Sequence, residues 1–209
     1  MNIKDSAKTI VCYGDSNTWG CVPGGDRYSR SVRWTGILQN LLGGEYEIIN
    51  EGLSGRTFVA LDVEKPERTG ITHLKSILKT HKPVDAIVIL LGTNDVRDIY
   101  NLEAQDIASH LEQTINLIQK EKINKILIVS PPFIVIPENG NLRPDFANRF
   151  NIVEKLSELF KKVAEKYKCN FINAQDYIFS SKVDGFHLDA GMHKKFAEVL
   201  KNEILSMKL

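Results

Sequence analysis

The sequence predicts an α/β protein in which a parallel sheet is covered by helices on both faces. Short apolar runs rich in β-branched residues alternate along the chain with longer segments whose apolar residues recur at helical spacing. No internal repeat, low-complexity tract or linker interrupts this alternation, which is typical of βαβ units. A chain of 209 residues fits one domain or at most two small ones. We therefore predict a single domain over residues 1–209.

Five apolar runs are predicted to be strands, and five periodic segments are predicted to be helices. The strands are expected at residues 10–13, 46–50, 86–91, 125–130 and 170–173. The helices are expected at residues 34–42, 71–78, 107–118, 150–163 and 196–204. In such a sheet, ligands bind beyond the carboxyl ends of the strands, so the residues that follow each strand carry the functional information.

Composition excludes several classes of function. The net charge of +1 gives no basic footprint for nucleic acid, and no apolar run is long enough to span a bilayer. The first six residues are polar and lack the apolar core of a signal peptide. Cys12, Cys21 and Cys169 are odd in number and widely spaced, unlike a disulfide framework. We expect a cytoplasmic protein without nucleic-acid or membrane partners.

Small polar motifs follow the predicted strands. "GDSN" follows the first strand, "EGLSGR" the second and "GTND" the third, and "DGFH" follows the fifth at some distance. Together they supply a hydroxyl, an amide, several glycines and an Asp/His pair. These are the components of acyl transfer through a serine nucleophile, and parallel strands bring them to one edge of the sheet.

Ser16, His187 and Asp184 are the candidates for nucleophile, base and orienting acid. A serine hydroxyl needs a base within hydrogen-bond reach, and a carboxylate three residues before a histidine can hold Nδ1 and leave Nε2 free. Other readings stay open at this point. Ser16 is also a favoured helix N-cap, and Asp184 and His187 would also suit a solvated loop. A metal site with His193 is disfavoured, because a six-residue spacing suits neither one helical face nor a usual zinc pair.

Three groups are candidates for an oxyanion hole. They are the backbone N–H of Ser16, the backbone N–H of Gly55 and the side-chain amide of Asn94. Preorganised donors of this kind lower the barrier to a tetrahedral intermediate, and removal of one typically costs about 3 kcal/mol. Asn94 is also a common turn residue, and Gly55 is also the residue expected where the backbone needs a positive φ. The backbone N–H of Gly52 is an alternative oxyanion donor.

The motifs "GDSN", "TWG", "NEGLSGRT", "LLGTND" and "DGFHLD", in this order, resemble those of the SGNH, or GDSL, hydrolases. "RWTGIL" and "IVSPP" resemble the arylesterase and acyltransferase branch of that family. The resemblance implies a three-layer α/β/α sandwich with a five-stranded parallel sheet in the flavodoxin-like order 2-1-3-4-5. It also implies a triad of Ser16, Asp184 and His187, an oxyanion hole of Ser16, Gly55 and Asn94, and no metal or organic cofactor. Because some members are multimers, a homo-oligomer stays open.

The resemblance implies a serine esterase that cleaves small acetyl or aryl esters, with acyl transfer or perhydrolysis as a side activity. A carbohydrate O-deacetylase is the alternative within hydrolases, and a non-catalytic binding domain is the alternative of another class. Where the family usually has Leu beside the nucleophile, this chain has Asn17. The residues expected to contact substrate are Asn17, Trp19, Arg56, Phe133 and Phe186. We read the remaining histidines, His193 included, as solvated surface residues.

Overall fold

The structure is a computed structural model that describes residues 3–209, and the first two residues of the polar N-terminal segment lie outside the described residues. Five parallel strands form one sheet in the order β2-β1-β3-β4-β5. The strands are β1 (Lys8–Gly14), β2 (Tyr46–Gly52), β3 (Ala86–Leu90), β4 (Ile126–Val129) and β5 (Asn170–Ile172). The helices are α1 (Ser16–Trp19), α2 (Trp34–Leu42), α3 (Gly70–Thr80), α4 (Ala104–Lys120), α5 (Ile152–Tyr167) and α6 (Ala190–Ser206). The predicted fold class and strand order are confirmed.

Side chains of successive strand residues point to opposite faces of the sheet, and each face carries its own apolar core. In β1, Val11 and Tyr13 pack into the core with α3, α4 and α5. Ile10 and Cys12 pack into the other core, with α2 and α6. The strands β3 and β4 alternate in the same way. Helices therefore form a layer on each side of the sheet, which gives the three-layer sandwich.

Local sequence explains where the longer helices begin. In α4 the side chain of Glu103 accepts from the backbone of Asp106, whose side chain accepts from Glu103 in return. At the start of α6, the Asp189 side chain accepts from the Met192 N–H over 2.8 Å. Within residues 3–209, no helix combines the length and the apolar character needed to cross a bilayer.

The register of the strands brings their ends together. Gly14 at the end of β1 is paired with Gly52 of β2 on one side and with Leu90 of β3 on the other. The segments that follow these strands therefore leave the sheet at the same edge. The Ser16 hydroxyl, the glycines and the Asn94 amide were predicted from the sequence to lie at this edge.

His193 is buried, which corrects its assignment as a surface residue. It lies in α6 with none of its surface exposed, and Trp34 donates its backbone N–H to Nδ1 over 3.3 Å. The ring of Tyr28 packs edge-on against the imidazole, at a centroid separation of 5.3 Å. Burial lowers the pKa of His193 to about 4. The negative charge of Asp189 opposes this shift, and the positive charges of His187 and Arg33 add to it.

This histidine is expected to contribute stability that is lost in mild acid. The buried Asp15 and Asp95 oppose this contribution, because their raised pKa values stabilise the fold as the pH falls. Above pH 6.5, the imidazole is neutral in both the folded and the unfolded chain. As the pH falls from 6.5 towards 4, the unfolded chain takes up the proton first, so the free energy of unfolding falls. A pKa difference of this size corresponds to a loss of about 3 kcal/mol. Urea unfolding of the wild type and of His193→Asn at pH 7.5 and 4.5 measures it as a difference, because the other groups titrate in both proteins.

The variant His193→Asn keeps an acceptor for the Trp34 N–H and removes the titration. It should lower stability at pH 7.5 and flatten the decline towards pH 4.5. The exposed His73 supplies the matched control, because His73→Gln removes an imidazole that is in contact with solvent. An equally steep decline in His193→Asn and in the wild type would contradict the assignment.

Candidate active site

The turn that carries Ser16 begins at the end of β1. Asp15 caps the short helix α1, and its side chain accepts the Asn17 N–H over 2.9 Å. Ser16 is therefore the first helical residue and its hydroxyl is not used as a cap. A Cβ on Gly14 would lie 2.1 Å from the Thr18 hydroxyl oxygen and 2.7 Å from the Leu90 carbonyl oxygen. Only glycine lets the backbone turn so close to both groups.

His187 joins Ser16 to Asp184 through two hydrogen bonds. His187 Nε2 lies 3.0 Å from Ser16 Oγ, although 171 positions separate the two residues in the sequence. His187 Nδ1 lies 2.7 Å from Asp184 Oδ2. With the proton on Nδ1, the imidazole donates to the carboxylate, and Nε2 can accept the hydroxyl proton of Ser16.

Backbone N–H groups hold the Asp184 carboxylate in place. Phe186 and His187 donate to Oδ1 over 3.0 and 3.1 Å, and Gly24 donates to Oδ2 over 3.0 Å. Burial would raise the pKa of Asp184, but its hydrogen bonds to His187 and Phe186 outweigh burial and lower it to about 2. Burial would lower the pKa of His187, but the bond to Asp184, with a smaller effect of Cys21, raises it to about 9.

The three residues that carry the expected oxyanion donors, Ser16, Gly55 and Asn94, line one cavity. Asn94 Nδ2 donates one hydrogen to the Arg56 carbonyl over 3.1 Å, which fixes the amide and leaves its second hydrogen for a ligand. Gly55 has a φ of +81°, and among residues 3–209 its N–H meets no acceptor. Gly52, the rival donor, is already engaged, because its N–H donates to Asn50 Oδ1 over 3.0 Å.

Two buried carboxyl groups lie beneath this arrangement. Burial raises the pKa of Asp15 to about 6, against the opposing effect of the Asn17 N–H. Burial raises the pKa of Asp95 to about 7, with a contribution from the negative charge of Asp15. Asp95 Oδ1 accepts the Phe58 N–H over 3.0 Å and so ties the loop after β2 to the end of β3.

Ser16 and His187 open into a cavity of about 620 Å³. Its walls come mainly from the connections that follow β2, β3 and β4. Leu61, Val63 and Ile99 form an exposed apolar rim. The cavity is also lined by Cys21, Ser54, Gly55, Asp62, Glu64, Lys65, Arg68, Thr93, Asn94, Arg97, Tyr100, Arg143, Phe146 and Phe186. Charged and aromatic groups therefore surround the hydroxyl at close range.

Phe186 lines this cavity, as the sequence predicted, whereas Asn17 does not. The buried amide of Asn17 donates to the Phe186 carbonyl over 3.1 Å and accepts the Leu188 N–H over 3.0 Å. The prediction of a substrate contact was wrong, because both ends of the amide are used to hold the loop that carries His187.

Arg56 is likewise structural rather than a wall of the cavity. Its guanidinium stacks over the Tyr13 ring at 4.2 Å and donates to the carbonyls of Gly14, over 3.0 Å, and Glu51. Burial lowers its pKa, and the charges of Tyr13 and Glu51 oppose that effect. The guanidinium thus joins the ends of β1 and β2, which corrects the prediction that it binds substrate.

Trp19 and Phe133 also lie outside the residues that line the cavity. Arg27 covers the indole ring of Trp19 at 4.7 Å and donates to the Trp19 carbonyl. The Phe133 carbonyl accepts the Ser180 hydroxyl over 2.6 Å. Neither residue lines the cavity, so their contact with substrate stays a prediction.

Sequence reasoning missed the charged and aromatic side chains that the long connections contribute. Asp62, Arg68 and Tyr100 are the main examples. The sequence contains one indication that these residues lie near the site: their connections follow strands whose ends carry the motifs. No metal site replaces this chemistry in the part of the chain that the structure describes, because no three His, Cys, Asp or Glu side chains there converge to hold an ion.

The sequence profile of the GDSL-like lipase/acylhydrolase family matches residues 12–195. The chain belongs to this family. As a GDSL hydrolase it is a carboxylic ester hydrolase. No protein of curated function matches its sequence.

Solved structures of GDSL hydrolases superpose closely on this chain. An inhibitor-bound aryl esterase of M. smegmatis is 31% identical, with a TM-score of 0.91 and coverage of 96% of this chain and 100% of the other. A carbohydrate acetylesterase family member from Sinorhizobium meliloti is 32% identical, with a TM-score of 0.90 and coverage of 96% and 98%. A lipase/acylhydrolase from Enterococcus faecalis, at 20% identity and a TM-score of 0.71, shares the fold.

Proposed function

We propose that this GDSL hydrolase is a serine esterase that cleaves small acetyl or aryl esters through an acyl-serine intermediate. One observation carries the proposal. The chain of hydrogen bonds from Ser16 through His187 to Asp184 opens onto a cavity that Gly55 and Asn94 also line. A hydroxyl with a base in reach, beside donors that have capacity left, is what acyl transfer requires.

The cycle follows from these positions. Neutral His187 takes the proton of Ser16 at Nε2 as Oγ attacks the ester carbonyl. The N–H of Ser16, the N–H of Gly55 and the free hydrogen of Asn94 stabilise the oxyanion. Asp184 stabilises the imidazolium, which then protonates the leaving alcohol. Water repeats the sequence on the acyl-enzyme and regenerates Ser16. An alcohol or hydrogen peroxide in place of water would give acyl transfer or perhydrolysis.

Two kinds of substrate fit the cavity. The aryl esterase and carbohydrate acetylesterase among the similar structures support short acyl groups. Leu61, Val63 and Ile99 offer exposed apolar surface to an aryl leaving group. The exposed Glu64 and Lys65, together with Tyr100, offer hydrogen-bond partners to the hydroxyls of a sugar. Carbohydrate O-deacetylation is therefore the second candidate.

We place the enzyme in the cytoplasm. The three cysteines are free thiols in the structure, and thiols persist where the compartment is reducing. The proposed partner is the small ester substrate itself.

A panel of esters tests the proposed function. We expect kcat/KM to be at least about tenfold higher for 4-nitrophenyl acetate than for 4-nitrophenyl octanoate. A long acyl chain would cover exposed charged groups of the lining, such as Glu64 and Lys65, without replacing their contacts with water, and that costs about 1 to 3 kcal/mol for each group. Acetate release from glucose pentaacetate, measured beside the aryl esters, distinguishes the two candidate substrate classes.

The Ser16→Ala variant gives the background rate for each ester in this panel. Hydrolysis of every short ester at that background rate would sink the proposal. A preference for octanoate would retain the esterase mechanism and overturn the assignment to small esters.

A further inference from the structure

Arg68 lies against the glycine that supplies an oxyanion donor. A Cβ on Gly55 would lie 2.6 Å from Arg68 Nε and 2.7 Å from Cζ, so the guanidinium packs directly on the Gly55 backbone. The Arg68 backbone is fixed in a short 3-10 helix, Pro66–Arg68. Its N–H donates to the Lys65 carbonyl over 2.9 Å, and its carbonyl accepts the Thr57 N–H over 3.0 Å. The side chain therefore extends from a fixed backbone and lies beside the Gly55 oxyanion donor.

The guanidinium of Arg68 is a cation with unused donors. Its side chain is only 23% exposed, and within residues 3–209 its guanidinium makes no hydrogen bond. Its one ion-pair partner there is Asp62, with Oδ2 at 3.5 Å from Nη1. A guanidinium carries five N–H donors in a fixed fork that matches a carboxylate, so a mostly buried one is expected to have partners.

The other arginines of the cavity are satisfied by the protein. Arg97 donates from Nε to Asp145 over 2.8 Å and from Nη1 to the Tyr100 hydroxyl over 3.3 Å. Arg143 forms a bidentate pair with the same Asp145, over 3.2 and 2.7 Å. These two arginines shape the wall. Arg68 differs because it faces the cavity with its donors free.

Asp62 does not neutralise Arg68, because it is shared. Its Oδ1 accepts the Lys65 N–H over 3.1 Å, and its Oδ2 lies 3.4 Å from both Arg97 Nη1 and the Tyr100 hydroxyl. Burial would raise the pKa of Asp62, but the Lys65 N–H and the charges of Arg68 and Arg97 outweigh burial and hold it below its usual range. Asp62 is therefore shared between Arg68 and Arg97, and the Arg68 donors stay available to a ligand.

We propose that Arg68 is a specificity-determining residue that binds an anionic group of the substrate. The substrate is then an ester that bears a carboxylate on its acyl part or on its leaving group. This inference rests on the proposed function, because it assigns a substrate class to the same site. A bidentate contact between the guanidinium and a carboxylate in a partly desolvated cavity favours the anionic ester by about 10- to 100-fold in kcat/KM over a neutral one.

Two matched pairs of esters test the proposal. For the leaving group, the pair is 4-acetoxybenzoate and its methyl ester. For the acyl part, the pair is mono(4-nitrophenyl) succinate and 4-nitrophenyl butyrate. The measured quantity is the ratio of kcat/KM for the anionic ester to that for the neutral ester. Comparing this ratio between enzymes cancels the intrinsic reactivity of the esters.

We expect Arg68→Met to lower the ratio at least tenfold in one pair, and that pair identifies the side of the substrate that carries the charge. Arg68→Lys should give an intermediate ratio, because it keeps the charge and loses the fork. The control is Arg30→Met, which removes the same charge from an exposed residue that does not line the cavity. It should keep the wild-type ratio. Unchanged ratios in both pairs for Arg68→Met would overturn the proposal.

A measurement on the wild type keeps the proposal testable if Arg68→Met fails to fold. Added salt should lower kcat/KM more for the anionic ester than for the neutral one in the pair that Arg68 recognises. Equal salt dependence in both pairs would overturn the proposal. Failure of this inference is distinguishable from failure of the proposed function. In the first case the neutral esters are still hydrolysed through Ser16, and in the second none of the esters is.

Discussion

Replacing Ser16 by alanine is expected to reduce kcat for ester hydrolysis by roughly a million-fold, because the proposed nucleophile is lost and the rest of the triad has nothing to activate. Alanine fits the first position of α1 without strain, so the fold should be kept. The oxyanion donors remain, and the residual rate should still exceed the uncatalysed rate by roughly a thousand-fold. Initial rates with 4-nitrophenyl acetate give the measurement.

Labelling with a fluorophosphonate provides an independent readout of the same prediction. The wild type should carry one adduct on the peptide that contains Ser16, and Ser16→Ala should carry none. Ser29→Ala is the matched control, because Ser29 is exposed and its hydroxyl meets that of Ser31 on the surface. An adduct on a different residue of the wild type would contradict the assignment of the nucleophile.

Asp184→Asn is expected to lower kcat by about ten thousand-fold while leaving the fold intact. An amide has one acceptor and one donor end. If its oxygen keeps the N–H groups of Phe186 and His187, its NH₂ faces His187 Nδ1 and the Gly24 N–H, which themselves donate to the carboxylate. The imidazole must then accept at Nδ1 and carry its proton on Nε2. In that tautomer it cannot take the proton of Ser16.

The pH profile of kcat/KM separates this effect from general damage. His187 acts as a base only when neutral, so activity rises with pH through its pKa and is lost below it. Because Asp184 raises that pKa to about 9, the acid limb of the wild type should lie well above 6.5. In Asp184→Asn the limb should move down towards the ordinary value. The exposed Asp26 gives the control variant Asp26→Asn, and a limb that stays in place in Asp184→Asn would refute the role of Asp184.

Much of the fold could be read from the sequence, because periodicity reports burial. The run that became β3 is apolar throughout since both of its faces are covered, and the spacing of Ile107, Leu111, Ile115 and Ile118 follows the buried stripe of α4. Periodicity gave no sign of α1, which is only one turn long and depends on the cap from Asp15. It also left the bounds of the strands uncertain by one or two residues.

Residues of the site were predictable where a strand end fixes their position. Ser16 and Asn94 follow β1 and β3 almost directly, so topology alone brings them to one edge. Arg68 was missed, because the connection of residues 53–69 has no period that describes its path. Asn17 was misassigned for a different reason. Its partners, Phe186 and Leu188, lie 169 and 171 positions away, and a hydrogen bond across that distance leaves no local pattern.

The side-chain amide of Asn17 also affects how the active site opens by local unfolding. Asn17 forms hydrogen bonds with the backbone of Phe186 and Leu188, on either side of His187, and it follows Ser16 directly in the chain. One side chain therefore links the serine turn to the loop that carries the histidine. Local unfolding of the histidine loop must break both of these hydrogen bonds, so we expect it to loosen the serine turn as well. We therefore expect the serine turn and the histidine loop to open together as one cooperative unit.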